Sequence, residues 1–307
     1  MAKVSVIGAG NVGAEVARRI VEKDLSNVVL LDIVEGIPQG KALDILQSAP
    51  IEGFKCHIEG TNDYSKISNS NIIVVTAGLA RKPGMTREDL VMKNGQIITE
   101  VSKNIRKYAP DSIVIVVTNP LDVMAQLCWL KTGFSHNKVI GMAGILDTSR
   151  FITFISEETK IPHSKIEAIV LGGHGDAMLP LLDYTFVDGK SIKEILPKEK
   201  LEEIVNLTRD GGAQIVKLLK TGSAYYAPSS SVVQMVDCIL NDRKKVLPCS
   251  TYLKGQYGLF DVFIGVPVKI GAEGAEEIIE LKLTEEEKHQ LHKSARIVKD
   301  TLLLCEK

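Results

Sequence analysis

The sequence predicts an α/β protein: a doubly wound parallel sheet followed by an α+β domain. Three observations carry this. The first half alternates strand-like and helix-like segments. Two of its strands, Asn71–Thr76 (NIIVVT) and Ser112–Thr118 (SIVIVVT), are unbroken apolar runs rich in β-branched residues, as suits parallel strands buried on both faces. Beyond about Met142 the pattern changes to longer helices mixed with alternating strands.

The elements follow in order. Lys3–Gly8 reads as a strand. Asn11–Asp24 reads as a helix with Val12, Val16, Ala17, Ile20 and Val21 on one face. Asn27–Asp32 is a second strand, and a helix is expected near Pro38–Ala49. A long helical stretch, Thr86–Tyr108, separates the two β-branched runs. Such alternation predicts right-handed crossovers. In the second half, helices are expected near Leu146–Thr159, Lys198–Leu219 and Ser229–Asn241. Strands are expected at Ile166–Leu171, Val246–Leu253 and Asp261–Ile270. A last helix opens on Thr284-Glu285-Glu286-Glu287, a capping box. Neither an internal repeat nor a low-complexity linker divides the chain. The expected domains, 1–142 and 143–307, therefore share a rigid interface.

The 307 residues are 45% hydrophobic and 24% charged, an ordinary globular composition. A net charge of -1 gives no electrostatic case for nucleic acid or an anionic membrane. No signal-peptide pattern is found, and no apolar run reaches the roughly 18–20 residues of a membrane span. Cys56, Cys128, Cys238, Cys249 and Cys305 are odd in number and contain no CxxC pair. They read as thiols of a reduced, cytoplasmic chain, and no metal site is expected.

Gly8-Ala9-Gly10-Asn11-Val12-Gly13 is GxGxxG, which is weak evidence alone. Here it follows a strand, opens a helix and precedes a strand ending in Asp32, the context a dinucleotide site requires. Gly8 permits the tight turn, Gly10 lets backbone approach a pyrophosphate, and Gly13 lets helix pack on strand. The helix N-terminus offers N–H groups to phosphate. Asp32 suits two ribose hydroxyls and repels a 2′-phosphate, and no arginine follows it. NAD is therefore the expected cofactor, on a Rossmann-type sheet.

In Leu171-Gly172-Gly173-His174-Gly175-Asp176 a histidine flanked by glycines ends a strand. Oxidising an alcohol with NAD requires a group that takes the hydroxyl proton, and imidazole suits that near neutral pH. His57, His136, His163, His289 and His292 lack such a setting and read as packing residues. Asp147 and Arg150 are three apart at a helix start and share a face. The acid can orient the imidazole and the arginine can grip a carboxylate; an N-cap with a surface arginine would look the same. Arg81 and Arg87 lie in or beside a Gly/Pro-containing loop, Thr76–Arg87, that reads as a cover for the site or as a solvated basic loop. Asn119, at the strand end Val117-Thr118-Asn119-Pro120, is placed to touch substrate or nicotinamide.

Taken together and in this order, GAGNVG, LLD, AGLARKPGMTR, VTNPLD, ILDTSR and GGHGD resemble the lactate/malate dehydrogenase family over essentially the whole chain. The resemblance implies that His174 accepts the proton, that Asp147 is its partner and that Arg150 anchors the C1 carboxylate. It implies that Arg87 polarises the reacting carbonyl and that Asn119 joins the substrate. Val117, Thr118 and Asn119 would lie beside the nicotinamide ribose, and Asn94 would contact the cofactor. Arg81 stands where lactate-using members resemble glutamine, so it would pair with a second carboxylate. The implied substrates are malate and oxaloacetate. Small Ser223 and Ala224 fit a roomy pocket wall. A homodimer or homotetramer is implied, with the Pro38–Ala49 helix and the early second-domain helices as its interface surfaces. The alternatives are a lactate or other 2-hydroxy acid dehydrogenase, an NAD- and metal-dependent glycosidase, and a non-catalytic NAD-binding module. The glycosidase needs a Cys/His metal pair that does not stand out here. The binding module leaves the set His174, Asp147, Arg150 and Arg87 unexplained.

Overall fold

The computed structural model describes residues 2–79 and 86–305, with Arg87 described by its backbone alone. The first half runs β1 (Lys3–Ile7), α1 (Asn11–Glu22), β2 (Asn27–Leu31), α2 (Ile37–Glu52), β3 (Ile58–Thr61), β4 (Ile72–Val75), α3 (Arg87–Tyr108), β5 (Ile113–Val116), α4 (Leu121–Thr132) and β6 (Val139–Gly141). The six strands pair in parallel in the order β3-β2-β1-β4-β5-β6. Every residue of β4 and β5 is buried, as two-sided cover by helices demands. Each such Val or Ile contributes about 1.5–3 kcal/mol of transfer free energy. Helix α1 buries Val16, Ala17, Ile20 and Val21 against the sheet, the face its periodicity marks.

The second half runs α5 (Gly144–Thr159), β7 (Ile166–Glu167), β8 (Val170–Gly172), β9 (Met178–Pro180), β10 (Phe186–Val187), β11 (Lys190–Ser191), α6 (Ile192–Ile195), α7 (Lys198–Leu219), α8 (Tyr226–Leu240), β12 (Lys245–Lys254), β13 (Phe260–Gly271), β14 (Gly274–Ile278) and α9 (Glu285–Leu302). Its main strands do not form a sheet of their own. β12 pairs with β6 at Ser250 and Gly141, β13 pairs along β12, and β8 meets β13 at Gly172 and Gly265. The parallel sheet thus runs on into an antiparallel one, and β6 is not left as an unpaired edge. The expected single strand Ile166–Leu171 is two short strands. β7 joins a small sheet with β10 and β11, while β8 joins the main one. The expected capping box is present: Thr284 Oγ1 accepts from the Glu287 N–H, and Glu287 accepts from the Thr284 N–H.

The strand order reverses between β1 and β4, so the loops leaving their C-terminal ends diverge and open a crevice. Gly8–Gly13, Asp32, Thr76–Leu79 and Val117–Asn119 all leave the C-terminal ends of β1, β2, β4 and β5.

Candidate active site

The glycine turn after β1 is fixed by close contacts. Gly8 has φ of +109°, and a Cβ there would lie 2.6 Å from the Ala77 nitrogen. A Cβ on Gly13 would lie 1.8 Å from the carbonyl oxygen of Gly8. A Cβ on Gly10 would meet nothing within 4 Å. The turn is therefore packed hard on one side and open on the other. Gly10 is the N-cap of α1 and supplies no side chain to its first turn, so that turn's N–H groups face the open side for an anion. The carboxylate of Asp32 accepts from the Ala9 N–H at 2.6 Å and from the Val34 N–H at 3.0 Å. Lys41, on α2, donates to the Ala9 carbonyl at 2.7 Å. The hydroxyl of Ser229, on α8, donates to the Val12 carbonyl at 3.1 Å. An open cradle, an uncapped helix start and an acid at the end of β2 fit a dinucleotide.

The crevice continues past β4 and β5. Thr76 Oγ1 donates to the Gly8 carbonyl at 2.9 Å, and Thr118 Oγ1 donates to that of Ala77 at 2.7 Å. Asn94, on α3, is 1% exposed. It accepts from the Leu79 N–H at 2.8 Å and donates to the Leu79 and Asn119 carbonyls at 3.2 and 2.7 Å. Its amide thus works on main chain: it ties the base of the loop after β4 to the end of β5. Asn119 itself is exposed. Among the described residues it makes no side-chain hydrogen bond, so its amide is available to a bound molecule. Arg81 lies outside the described residues, as does the side chain of Arg87.

His174 follows β8. Its Nδ1 lies 2.9 Å from Oδ2 of Asp147, and Arg150 Nη1 lies 3.4 Å from Oδ1 of the same carboxylate. Asp147 and Arg150 come from successive turns of α5. Asp147 is 1% exposed and is not the N-cap of α5, which is Ala143; the capping alternative falls away. Burial alone pulls the imidazole pKa down. The Asp147 charge and its hydrogen bond, aided by Asp122, outweigh burial and the opposing Arg150 charge, so the net shift is upward. With Nδ1 turned to Asp147, Nε2 is the ring nitrogen left for a substrate proton.

Arg150 is largely buried, and burial lowers its pKa against the pull of Asp147. Its side chain lies on Gly211 and Gly212 of α7, where added Cβ atoms would stand 3.3 Å from Cδ and 3.5 Å from Nη2. Two glycines inside a helix cost roughly 1 kcal/mol each relative to alanine. Here they make the groove that the guanidinium occupies.

Sequence reasoning missed several of these residues. Asp122 accepts from the His174 N–H and Ser294 from the Gly173 N–H, each at 2.8 Å. The motif VTNPLD contains Asp122, but an acid in a first helical turn is common enough to carry no signal of its own. Lys41, Ser229 and Ser294 act across long sequence separations and leave no local mark. Among the described residues no cluster of His, Cys, Asp and Glu could hold a metal ion, and no helix is long and apolar enough to cross a membrane.

A histidine backed by a buried carboxylate, in a fold that also carries a dinucleotide cradle, suits a nicotinamide-dependent dehydrogenase. Comparison with known proteins agrees. Residues 2–141 match the lactate/malate dehydrogenase NAD binding domain, and residues 145–306 match the alpha/beta C-terminal domain of the same enzymes. A malate dehydrogenase of Chlorobium limicola is 55% identical over 299 residues, covering 97% of this chain and 96% of the relative. The structure of malate dehydrogenase from Cryptosporidium parvum superposes with a TM-score of 0.97 at 42% identity, covering 99% of each chain. The lactate dehydrogenase of that organism, complexed with lactic acid and NAD, gives a TM-score of 0.97 at 40% identity, covering 100% of this chain and 98% of that one. The chain belongs to the lactate/malate dehydrogenase family, and its cofactor is NAD. Malate and lactate enzymes match its backbone equally well, so substrate choice rests on side chains.

Proposed function

We propose that the chain catalyses the reversible oxidation of (S)-malate to oxaloacetate with NAD. The observation that carries this reading is the His174–Asp147 pair, 2.9 Å apart, tied through Asp122 to the helix that follows β5, in a chain whose β1–α1 turn is a cradle open at Gly10. NAD, when bound, accepts the hydride that leaves C2. Gly8, Ala9, Gly10, Asn11, Val12 and Gly13 hold its pyrophosphate, and Asp32 holds the adenosine ribose. Val117, Thr118 and Asn119 line the nicotinamide end, and Asn94 supports them by holding the Asn119 carbonyl.

Arg150 grips the C1 carboxylate of malate with its planar fork. Nε2 of His174 takes the hydroxyl proton as C2 loses hydride, and Asp147 stabilises the imidazolium that forms. In the reverse direction protonated His174 returns the proton, and Arg87 stabilises the charge that develops on the carbonyl oxygen. Arg81 sets specificity. A C4 carboxylate pairs with its guanidinium, whereas pyruvate would leave that cation unpaired. The relatives named malate dehydrogenase over nearly their full length support the same choice.

The reading includes a division into 1–142, which binds NAD, and 143–307, which binds substrate. It also includes a homodimer or homotetramer working in the cytoplasm. Exposed Ile37, Leu43 and Ile51 on α2 support an interface on that helix. The test is Arg81→Gln. Turnover of oxaloacetate should fall far more than turnover of pyruvate; an equal fall in both would end the specificity role.

A further inference from the structure

The turn that carries His174 is held from behind by two helices. Consecutive main-chain N–H groups, those of Gly173 and His174, donate to side chains: the first to Ser294 Oγ of α9 and the second to Asp122 Oδ2 of α4, each at 2.8 Å. Ser294 is 2% exposed and Asp122 is 4% exposed. Asp122 stands in the first turn of α4, three positions after Asn119. That turn therefore joins the end of β5, where Asn94 holds the Asn119 carbonyl at 2.7 Å, to the turn that carries the proton acceptor.

A carboxyl is an expensive way to satisfy one amide. Burial pushes the pKa of Asp122 up, against the pull of Ser250 and His174. Its Oδ1 and the Ser250 hydroxyl are both buried without a well-formed hydrogen bond among the described residues. A buried acid so poorly satisfied is a liability to stability. Its contact with the His174 main chain points to a role at the site that it touches.

We propose that Asp122 is a positioning residue for proton transfer. It fixes the main chain of His174 so that Nδ1 meets Asp147 and Nε2 faces the substrate, with Ser294 as the second support of the turn. The inference rests on His174 being the proton acceptor. Among the described residues, the charged groups that act on His174 are Asp147 and Arg150 from α5 and Asp122 from α4; α9 contributes the Ser294 hydroxyl.

The experiment measures single-turnover oxaloacetate reduction by NADH against pH, with the Kd for NADH, in Asp122→Ala, Asp122→Asn and Ser294→Ala. Asp122→Ala removes the acceptor. It should lower the rate about thirtyfold, in line with the cost of sub-ångström misplacement, and leave the NADH Kd within about twofold. His174 would lose its grip on Asp147, so the alkaline limb of the profile should move to lower pH. Asp122→Asn keeps an acceptor oxygen but removes the charge that aids His174, so it should stay within about threefold of the parent rate, with the limb moved to lower pH by less than in Asp122→Ala. Ser294→Ala, a mild change in a helix, should cost about threefold to tenfold, with a limb shift in the same direction.

The proposal is overturned if Asp122→Ala keeps the parent rate and limb, if its rate falls with the limb unmoved, or if Asn is as impaired as Ala. Should Asp122→Ala not fold, a parent-like rate and limb in Ser294→Ala overturns it instead. His174→Asn separates the two readings. If that variant keeps the parent rate, the assignment of His174 fails. If it is inactive while Asp122→Ala behaves as the parent, only the positioning role fails.

Discussion

Gly13 and Gly8 approach so closely that a methyl group on Gly13 would stand 1.8 Å from the Gly8 carbonyl oxygen. The space at Gly13 is filled by the protein, whereas Gly10 faces open space. Gly13→Ala should therefore be a folding lesion, costing several kcal/mol through overpacking and backbone shift. Gly10→Ala should melt within about 2 °C of the parent while weakening NADH binding at least about tenfold, the worth of one lost charge-assisted contact. Thermal melts and NADH titrations of the two variants check both halves.

On the proposed mechanism, removing the imidazole removes the proton acceptor and little else. His174→Asn should lower kcat by about 10²–10⁴, the usual worth of general acid–base catalysis, and leave NADH affinity near that of the parent. Fluorescence titration with NADH alongside steady-state rates checks the split. A near-parental kcat would refute the assignment.

Asp147 raises the His174 pKa against the effect of burial. The sign of the pH dependence follows. Oxaloacetate reduction needs the protonated ring, so its rate falls as pH rises through the raised pKa; malate oxidation needs the neutral ring and rises there. Asp147→Asn should move both limbs to lower pH and lower kcat by roughly 10³–10⁴, because the wrong tautomer is then favoured. Limbs that stay in place would show that Asp147 does not govern the ring.

Gly211 keeps room for Arg150. Gly211→Ala gains helix propensity of about 1 kcal/mol, but its Cβ would press on Arg150 Cδ from 3.3 Å. The variant should keep or raise its melting temperature while KM for oxaloacetate rises about fivefold, since anchoring is what the displaced guanidinium loses. A lower melting temperature with unchanged KM would assign the glycine to packing alone.

How much of this was legible in the sequence depended on distance along the chain. GAGNVG with Asp32, and GGHGD with His174, carry their chemistry within a few residues and could be read directly. Asp147 and Arg150 were legible as a helical pair, and Asp147 as a candidate partner of His174 although the two lie 27 positions apart, a contact the structure makes at 2.9 Å. β3, β6 and the short strands β7–β11 span two to four residues each, too few for a period to register. The continuity of the sheet through Gly141 and Ser250 is a pairing between distant segments, and hydropathy does not encode it. Asn94 was legible as a site residue, yet the structure turns its amide to the main chain of Leu79 and Asn119. Asp122, Ser294 and the groove at Gly211 and Gly212 are tertiary facts, visible only once the helices are in place.

The central claim is that this NAD-dependent site is built for a dicarboxylate. The most direct test compares steady-state kcat/KM for oxaloacetate and pyruvate, each with NADH and with NADPH. Oxaloacetate should exceed pyruvate by about 10³-fold or more, the scale on which an unpaired polar group at a closed site discriminates, and NADH should be preferred over NADPH because Asp32 repels a 2′-phosphate. Pyruvate turned over as efficiently as oxaloacetate would contradict the account.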